Sequence, residues 1–191
     1  MILGLLVLAW ADEPAPATAA SRGFVARPVA GRPVAELRGG LDTTSRARAP
    51  QICGEVHVLR FLALDACGSG ATWFHDLPID EMSHYRVEAT VPLMADGRGE
   101  LWLQPGLGFA EVQRGADAGG FRFGREAAPE QNEAAGPEAT LSLKARAWVH
   151  DKVFGVAEAN AGLAVVPAAP VVMGSKGPAV PSASLTVGLG F

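Results

Sequence analysis

From 139 to 149 the chain reads ATLSLKARAWV, and every second residue is apolar. Side chains alternate across an extended strand, so Ala139, Leu141, Leu143, Ala145, Ala147 and Val149 share one face, opposite Ser142, Lys144 and Arg146. The pattern recurs in 84–94, where Tyr85, Val87, Ala89, Val91 and Leu93 oppose Arg86, Glu88 and Thr90. It recurs again in 182–191, where Ala183, Leu185, Val187, Leu189 and Phe191 oppose Ser182, Ser184, Thr186, Gly188 and Gly190. Three further segments keep the phase less cleanly. In 100–113, Leu101, Leu103, Leu107 and Phe109 face away from Trp102, Gln104, Gly106 and Gly108. In 153–166, Ala157, Ala159, Ala161, Leu163 and Val165 oppose Glu158 and Asn160; in 33–43, Ala35, Leu37 and Leu41 oppose Glu36 and Arg38. The apolar run in 55–65, EVHVLRFLALD, fits a buried strand or a helix.

A chain of such strands is all-β. Its 23 Gly and 14 Pro supply turns rather than long helices, and 19% charged residues is low for a soluble domain. A net charge of −4 with no long Lys/Arg run excludes nucleic acid as a partner. Residues 1–11 read as a signal peptide: an apolar run from Ile2, then Ala9-Trp10-Ala11 ahead of Asp12-Glu13. Residues 12–21 are a flexible Pro/Ala-rich leader, and 22–191 form one domain. Cys53 and Cys67 are too few for a disulfide scaffold. If 54–66 is one extended strand, about 40 Å separates its ends, beyond disulfide reach, and both thiols are free.

The connections carry the next constraint. Reading back from the C-terminus they are long (167–181), short (150–152), long (114–138), short (95–99) and long (66–83). A membrane barrel sorts its loops this way, short turns at one rim and long loops at the other. In hydrocarbon every backbone group must pair, which leaves the helix and the closed barrel, and no run of 18 apolar residues offers a helix. Barrel strands need about 9–11 residues, and an even number of them is the rule. The segments above make seven, so 22–30, RGFVARPVA, is taken as the eighth.

These residues resemble a small bacterial outer-membrane β-barrel, similar in plan to the OmpA transmembrane domain and its eight-stranded relatives. The resemblance covers 84–191 best and 22–65 weakly. It implies that Phe191, Leu189, Val187, Leu185 and Ala183 form the C-terminal signal read by the barrel assembly machinery. It also implies a lipid-bilayer environment in a Gram-negative outer membrane. Two features depart from the pattern: Pro105 falls in mid-strand, where a bulge or local irregularity is expected, and Arg60 shares the parity of Val56, Val58, Leu62 and Leu64.

An eight-stranded barrel is just wide enough to be filled by side chains. The inward set is Glu36, Arg38, Arg86, Glu88, Gln104, Lys144, Arg146, Glu158 and Asn160, both signs together, and it reads as an internal salt-bridge plug. Loop 114–138, with Glu126, Glu130, Glu133 and Glu138, is the polar contact surface for an external partner of unknown identity. Loop 68–83 holds Ser69, His75, Asp76, Asp80, Glu81 and Ser83 ahead of His84, yet Cys67-Gly68-Ser69-Gly70 lacks the G-x-S-x-G elbow. His75 and His84 match no metal-ligand spacing. The reading is therefore a non-enzymatic barrel with a structural or surface-interaction role and no cofactor or metal. Two rivals are a soluble β-sandwich binding module and an outer-membrane hydrolase using Ser69, His75 and Ser83.

Overall fold

The computed structural model describes residues 34–44, 50–69, 80–96, 98–114, 121–124, 132–150 and 152–191. Nine strands run in chain order: β1 (Ala35–Asp42), β2 (Gln51–Leu59), β3 (Leu62–Gly68), β4 (Asp80–Ala89), β5 (Val91–Asp96), β6 (Gly99–Arg114), β7 (Glu133–His150), β8 (Val153–Val165) and β9 (Ala179–Gly190). Among the described residues one short helix, α1 (Ala169–Val172), precedes β9. Every pairing among these strands is antiparallel, in the order β4-β3-β2-β1-β9-β8-β7-β6-β5, and β4 also pairs with β6. That last pairing closes the wall. β4 occupies one edge of β6 from Gly106 to Arg114, and β5 takes up the same edge from Gly99 to Leu103. Nine strands thus make eight staves, and the fold is a closed up-and-down barrel.

The alternation in the sequence becomes an inside and an outside. Leu37, Leu41, Leu107, Leu185, Val187 and Leu189 lie outward and are at least 58% exposed, while Arg38, Lys144 and Glu88 point inward and are at most 1% exposed. A soluble domain has the opposite polarity; a barrel in lipid has this one. The strand ends joined by the short connections, β2 to β3, β5 to β6 and β7 to β8, lie at one rim, with Arg60, Phe61, Arg98 and Lys152 beside them. There the Ala35 and Phe191 backbones exchange two hydrogen bonds of 3.0 Å, and the Asp96 carboxylate accepts from the Arg98 and Gly99 amides at 2.8 Å each. The strand ends joined by the long connections, β1 to β2, β3 to β4, β6 to β7 and β8 to β9, lie at the other rim, so short and long connections are sorted between the two rims. The boundaries shift inward from those expected. Glu133 and Glu138 belong to β7 rather than to a loop, and Glu126 and Glu130 lie outside the described residues.

The largest correction falls on 55–65. It is neither a helix nor one strand but the hairpin β2–β3, turning at Arg60 and Phe61. Alternation hid the turn. A register shift between His57 and Leu59 adds one residue to the hairpin end, so odd-numbered residues point inward on both sides of it. The turn also removes the difficulty of Arg60, which is exposed at the rim instead of in mid-wall. Because the hairpin supplies two staves, the wall closes without 22–30, which lies outside the described residues.

The cysteines follow from the same correction. Cys53 and Cys67 are register partners across β2 and β3, and they form a disulfide; neither is the free thiol that a single spanning strand requires. Pro105 produces no bulge against β7, where the register runs unbroken from Gly99 to Gln113. The irregularity lies on its other edge, between the pairs Glu88–Gly106 and Val91–Leu103, where β4 gives way to β5. There the Thr90 amide turns to the Phe61 carbonyl, 2.9 Å away. A second register shift, between Pro92 and Met94, leaves Leu93 without a register partner, and its side chain stays exposed as Val91 does.

The β1–β9 seam joins the first and last strands, and Gly188 permits it: a Cβ there would run into the Leu37 carbonyl oxygen. Gly54, on the outer face of β2, has nothing within 4 Å of a Cβ. Gly188→Val is expected to destabilise the barrel by about 3 kcal/mol or prevent closure, and Gly54→Ala to change stability by less than about 0.5 kcal/mol. Urea titration followed by unheated gel mobility measures both.

Candidate functional site

The chemistry of this chain is concentrated in its lumen. Four basic side chains, Arg38, Arg86, Lys144 and Arg146, point inward from β1, β4 and β7. They meet six buried carboxylates, Glu36, Glu55, Asp65, Glu88, Glu138 and Glu158. Arg38 is the hub. Its guanidinium pairs with Glu158 and Asp65, and reaches Glu55 at 3.1 Å and Glu36 at 3.8 Å. Lys144 pairs with Glu55 and lies 3.0 Å from Glu158 and 3.3 Å from Glu36. The two cations thus share three carboxylates, and strands β1, β2, β3, β7 and β8 are tied across the lumen.

A second group lies nearer the long-connection rim. Arg86 reaches Asp65 at 3.4 Å, Glu138 at 3.3 Å and Glu88 at 3.8 Å, and His84 Nδ1 is 2.7 Å from Glu138. Asp65 joins this group to the Arg38 hub. Above it the lumen turns apolar: Met82, Ala110, Val112, Ala164 and Val180 form one buried cluster with Ala169, Val172 and Met173 of α1 and its C-terminus. Helix α1 therefore caps the mouth from inside. At the short-turn end Arg146 pairs with Glu36, and its guanidinium carbon lies 3.7 Å from the Trp102 ring centroid and 4.8 Å from that of Phe154. Such stacking on an aromatic face holds a desolvated guanidinium in place.

All nine residues of the sequence-derived inward set are buried. Glu36, Arg38, Arg86, Glu88, Lys144, Arg146 and Glu158 belong to the ion-pair network. The Asn160 amide donates to Ser142 Oγ at 2.5 Å, and the Gln104 amide to Glu55 and Thr90 at 3.4 Å. Sequence reasoning missed Glu55, His57 and Asp65, because they lie in the segment whose turn was invisible. It missed Glu138, placed in a loop, although Glu138 continues the inward phase of Thr140 and Ser142. Phase extrapolation through Ala139 was the available signal.

Glu36, Glu55 and His57 bring ligand atoms within 4.8 Å of one another, a spacing that suits a metal ion. Lys144 and Arg146 already stand against those carboxylates, and Arg146 Nη2 is 2.7 Å from His57 Nε2, so the chain's own cations supply the positive charge. The hydrolase constellation does not assemble among the described residues. Ser83 and His84 alternate faces, His84 turns inward to Glu138, and the Ser69 amide donates to Glu81 at 2.7 Å; His75 and Asp76 lie outside the described residues. Outside the wall, Tyr85 and Phe109 stack at 5.0 Å and are joined by Phe121 and Phe123, an aromatic ledge near the long-connection rim.

The chain is similar in structure to neisserial surface protein A, with a TM-score of 0.52, 10% identity, and coverage of 83% of this chain and 94% of that one. Lower similarity is found with the N-terminal β-barrel domain of Pseudomonas aeruginosa OprF, with a TM-score of 0.46, 12% identity, and coverage of 83% and 97%. Ail, the attachment invasion locus protein of Yersinia pestis, matches with a TM-score of 0.40, 9% identity, and coverage of 84% and 100%. No protein-family model and no curated protein sequence matches the chain. The fold is that of the small outer-membrane barrels.

Removing one partner from a buried network leaves charges unpaired, which costs about 3–5 kcal/mol. Arg38→Met, which leaves Glu55 and Glu158 to Lys144 and Asp65 to Arg86 and so uncovers net buried negative charge, is expected to lower barrel stability by that amount. Lys152→Met, at the exposed turn, is expected to leave it unchanged, as read by the midpoint of urea-induced loss of the fast unheated band.

Proposed function

We propose that this chain is an integral protein of the bacterial outer membrane with a structural or surface-interaction role and no enzymatic one. The observation that carries this is the inverted polarity of the wall: charged groups fill the inside while leucine and valine cover the outside. On this reading the short-turn rim faces the periplasm and the long connections face the environment. The aromatic ledge of Tyr85 and Phe109 lies at the outer interface, where amphipathic rings are favoured. Residues 1–11 are the signal peptide and 12–21 a leader. The outward row Ala183, Leu185, Val187, Leu189 and Phe191 is the face offered to the barrel assembly machinery.

The lumen acts as a plug. Cross-strand ion pairs occupy it from the Arg146 end to the His84 end, and the α1 cap closes the outer mouth. An ion following this path would have to displace paired charges in a low-dielectric interior. What remains for contact with a partner is the external rim, whose chemistry lies in connections 43–50, 69–79 and 115–132.

Two measurements test the reading. The chain is expected to stay in the membrane through carbonate extraction and to migrate faster unheated than boiled; release by carbonate would favour a soluble β-sandwich instead. In planar bilayers it is expected to give no conductance steps, and regular steps would contradict the plug while leaving the membrane assignment intact.

A further inference from the structure

The disulfide has an order-of-events consequence. Cys53 and Cys67 are directly opposed on β2 and β3 and face the lumen, with exposures of 1% and 5%. Their wall neighbours are Arg38 on β1 and His84 on β4, both members of the ion network. Cys67 Sγ lies 3.3 Å from Asp65 Oδ2, and Asp65 is itself held by Arg38 and Arg86. The bond is therefore inside the closed wall, against the filled part of the lumen.

Forming such a bond requires access. Thiol–disulfide exchange proceeds by attack of a thiolate on a disulfide sulfur through a mixed-disulfide intermediate, so the donor must reach the attacking sulfur. A protein donor cannot enter an eight-stranded barrel whose interior is just wide enough for side chains. The two cysteines are only 14 residues apart, however, and belong to a hairpin that needs no other stave to form. Local closure of that kind is fast and precedes long-range pairing such as β1 with β9 or β4 with β6.

We propose that the β2–β3 hairpin is oxidised by a periplasmic protein disulfide before the barrel closes, and that closure then seals the bond from both oxidant and reductant. One cysteine thiolate attacks the donor disulfide, forming a mixed disulfide and releasing a donor thiolate. The second cysteine, deprotonated, displaces the donor sulfur. The hairpin thereby gains one S–S bond and loses two protons and two electrons, and the donor leaves as its dithiol. This rests on the outer-membrane reading above, because it needs passage through an oxidising periplasm.

The test uses the full chain in mild detergent, with a polyethylene-glycol maleimide to count thiols and tris(2-carboxyethyl)phosphine as reductant. Unheated gel mobility, recorded in parallel, reports the barrel independently of the thiols. The fast-migrating form is expected to add no maleimide, with or without reductant, and to add two after boiling with reductant. Reduction of the folded form should be on the order of a hundredfold slower than that of the boiled form, since it requires the wall to open. A maleimide shift in the folded form without reductant, or reduction at the boiled rate, would overturn the sealed bond. For the order, the reduced chain is refolded and then given oxidised glutathione. Persistent thiols in the fast-migrating form, or failure of the reduced chain to reach that form, supports oxidation first. Oxidation of the closed reduced barrel at the rate of the unfolded chain overturns it.

Discussion

Arg38 is the interaction on which the rest of the lumen depends. Its guanidinium is reached by carboxylates from β2, β3 and β8, and Lys144 of β7 shares two of those acids. In a soluble protein such burial would be weak evidence for stability, because desolvation offsets most of the Coulomb gain. In a barrel the alternatives are fewer. Outward faces must be apolar to meet hydrocarbon, and the alternation then leaves every second residue to be accommodated inside. Charges placed there survive by pairing across the lumen, and pairing across the lumen ties staves that are distant in sequence.

The two ends of the lumen are finished differently. At the short-turn end Arg146 lies between the Trp102 and Phe154 rings, so a cation is covered by aromatic faces. Gly190 makes room there, since a Cβ at that position would collide with the Phe154 ring. At the other end the small residues Ala110 and Ala164 leave space that Val172 and Met173 fill from above. A polar middle with an aromatic floor and an aliphatic cap is the arrangement on which the proposal of a plugged lumen and a contact role at the rim rests.

Most of the wall was legible because barrel strands obey a two-residue period that sequence displays directly. The rows from Ala139 to Val149 and from Ala183 to Leu189 keep one phase throughout, and their faces in the structure match. What was not legible has one physical origin: a feature that preserves phase leaves no mark. The β2–β3 turn at Arg60 and Phe61 contains no Gly, Asn, Asp or Pro, and the register shift before it restores the alternation on the far side. From that one omission followed the missing stave, the assignment of 22–30, the free thiols and the absence of Glu55, His57 and Asp65 from the inward set. The partners within the lumen were illegible for a different reason. Alternation tells which residues point inward, whereas the stagger of the strands decides which of them meet.

The ion pairs across the lumen and the outward apolar band both require the wall to close between its first and last staves. Solid-state NMR of the chain in lipid bilayers tests this directly, through backbone contacts between Gly39 and Val187, register partners across β1 and β9. A closed barrel predicts a cross-strand Cα separation of about 4.5–5.5 Å for that pair. No contact between them, with the amides of β1 and β9 exchanging as free edges, would mean an open sheet and would contradict the account.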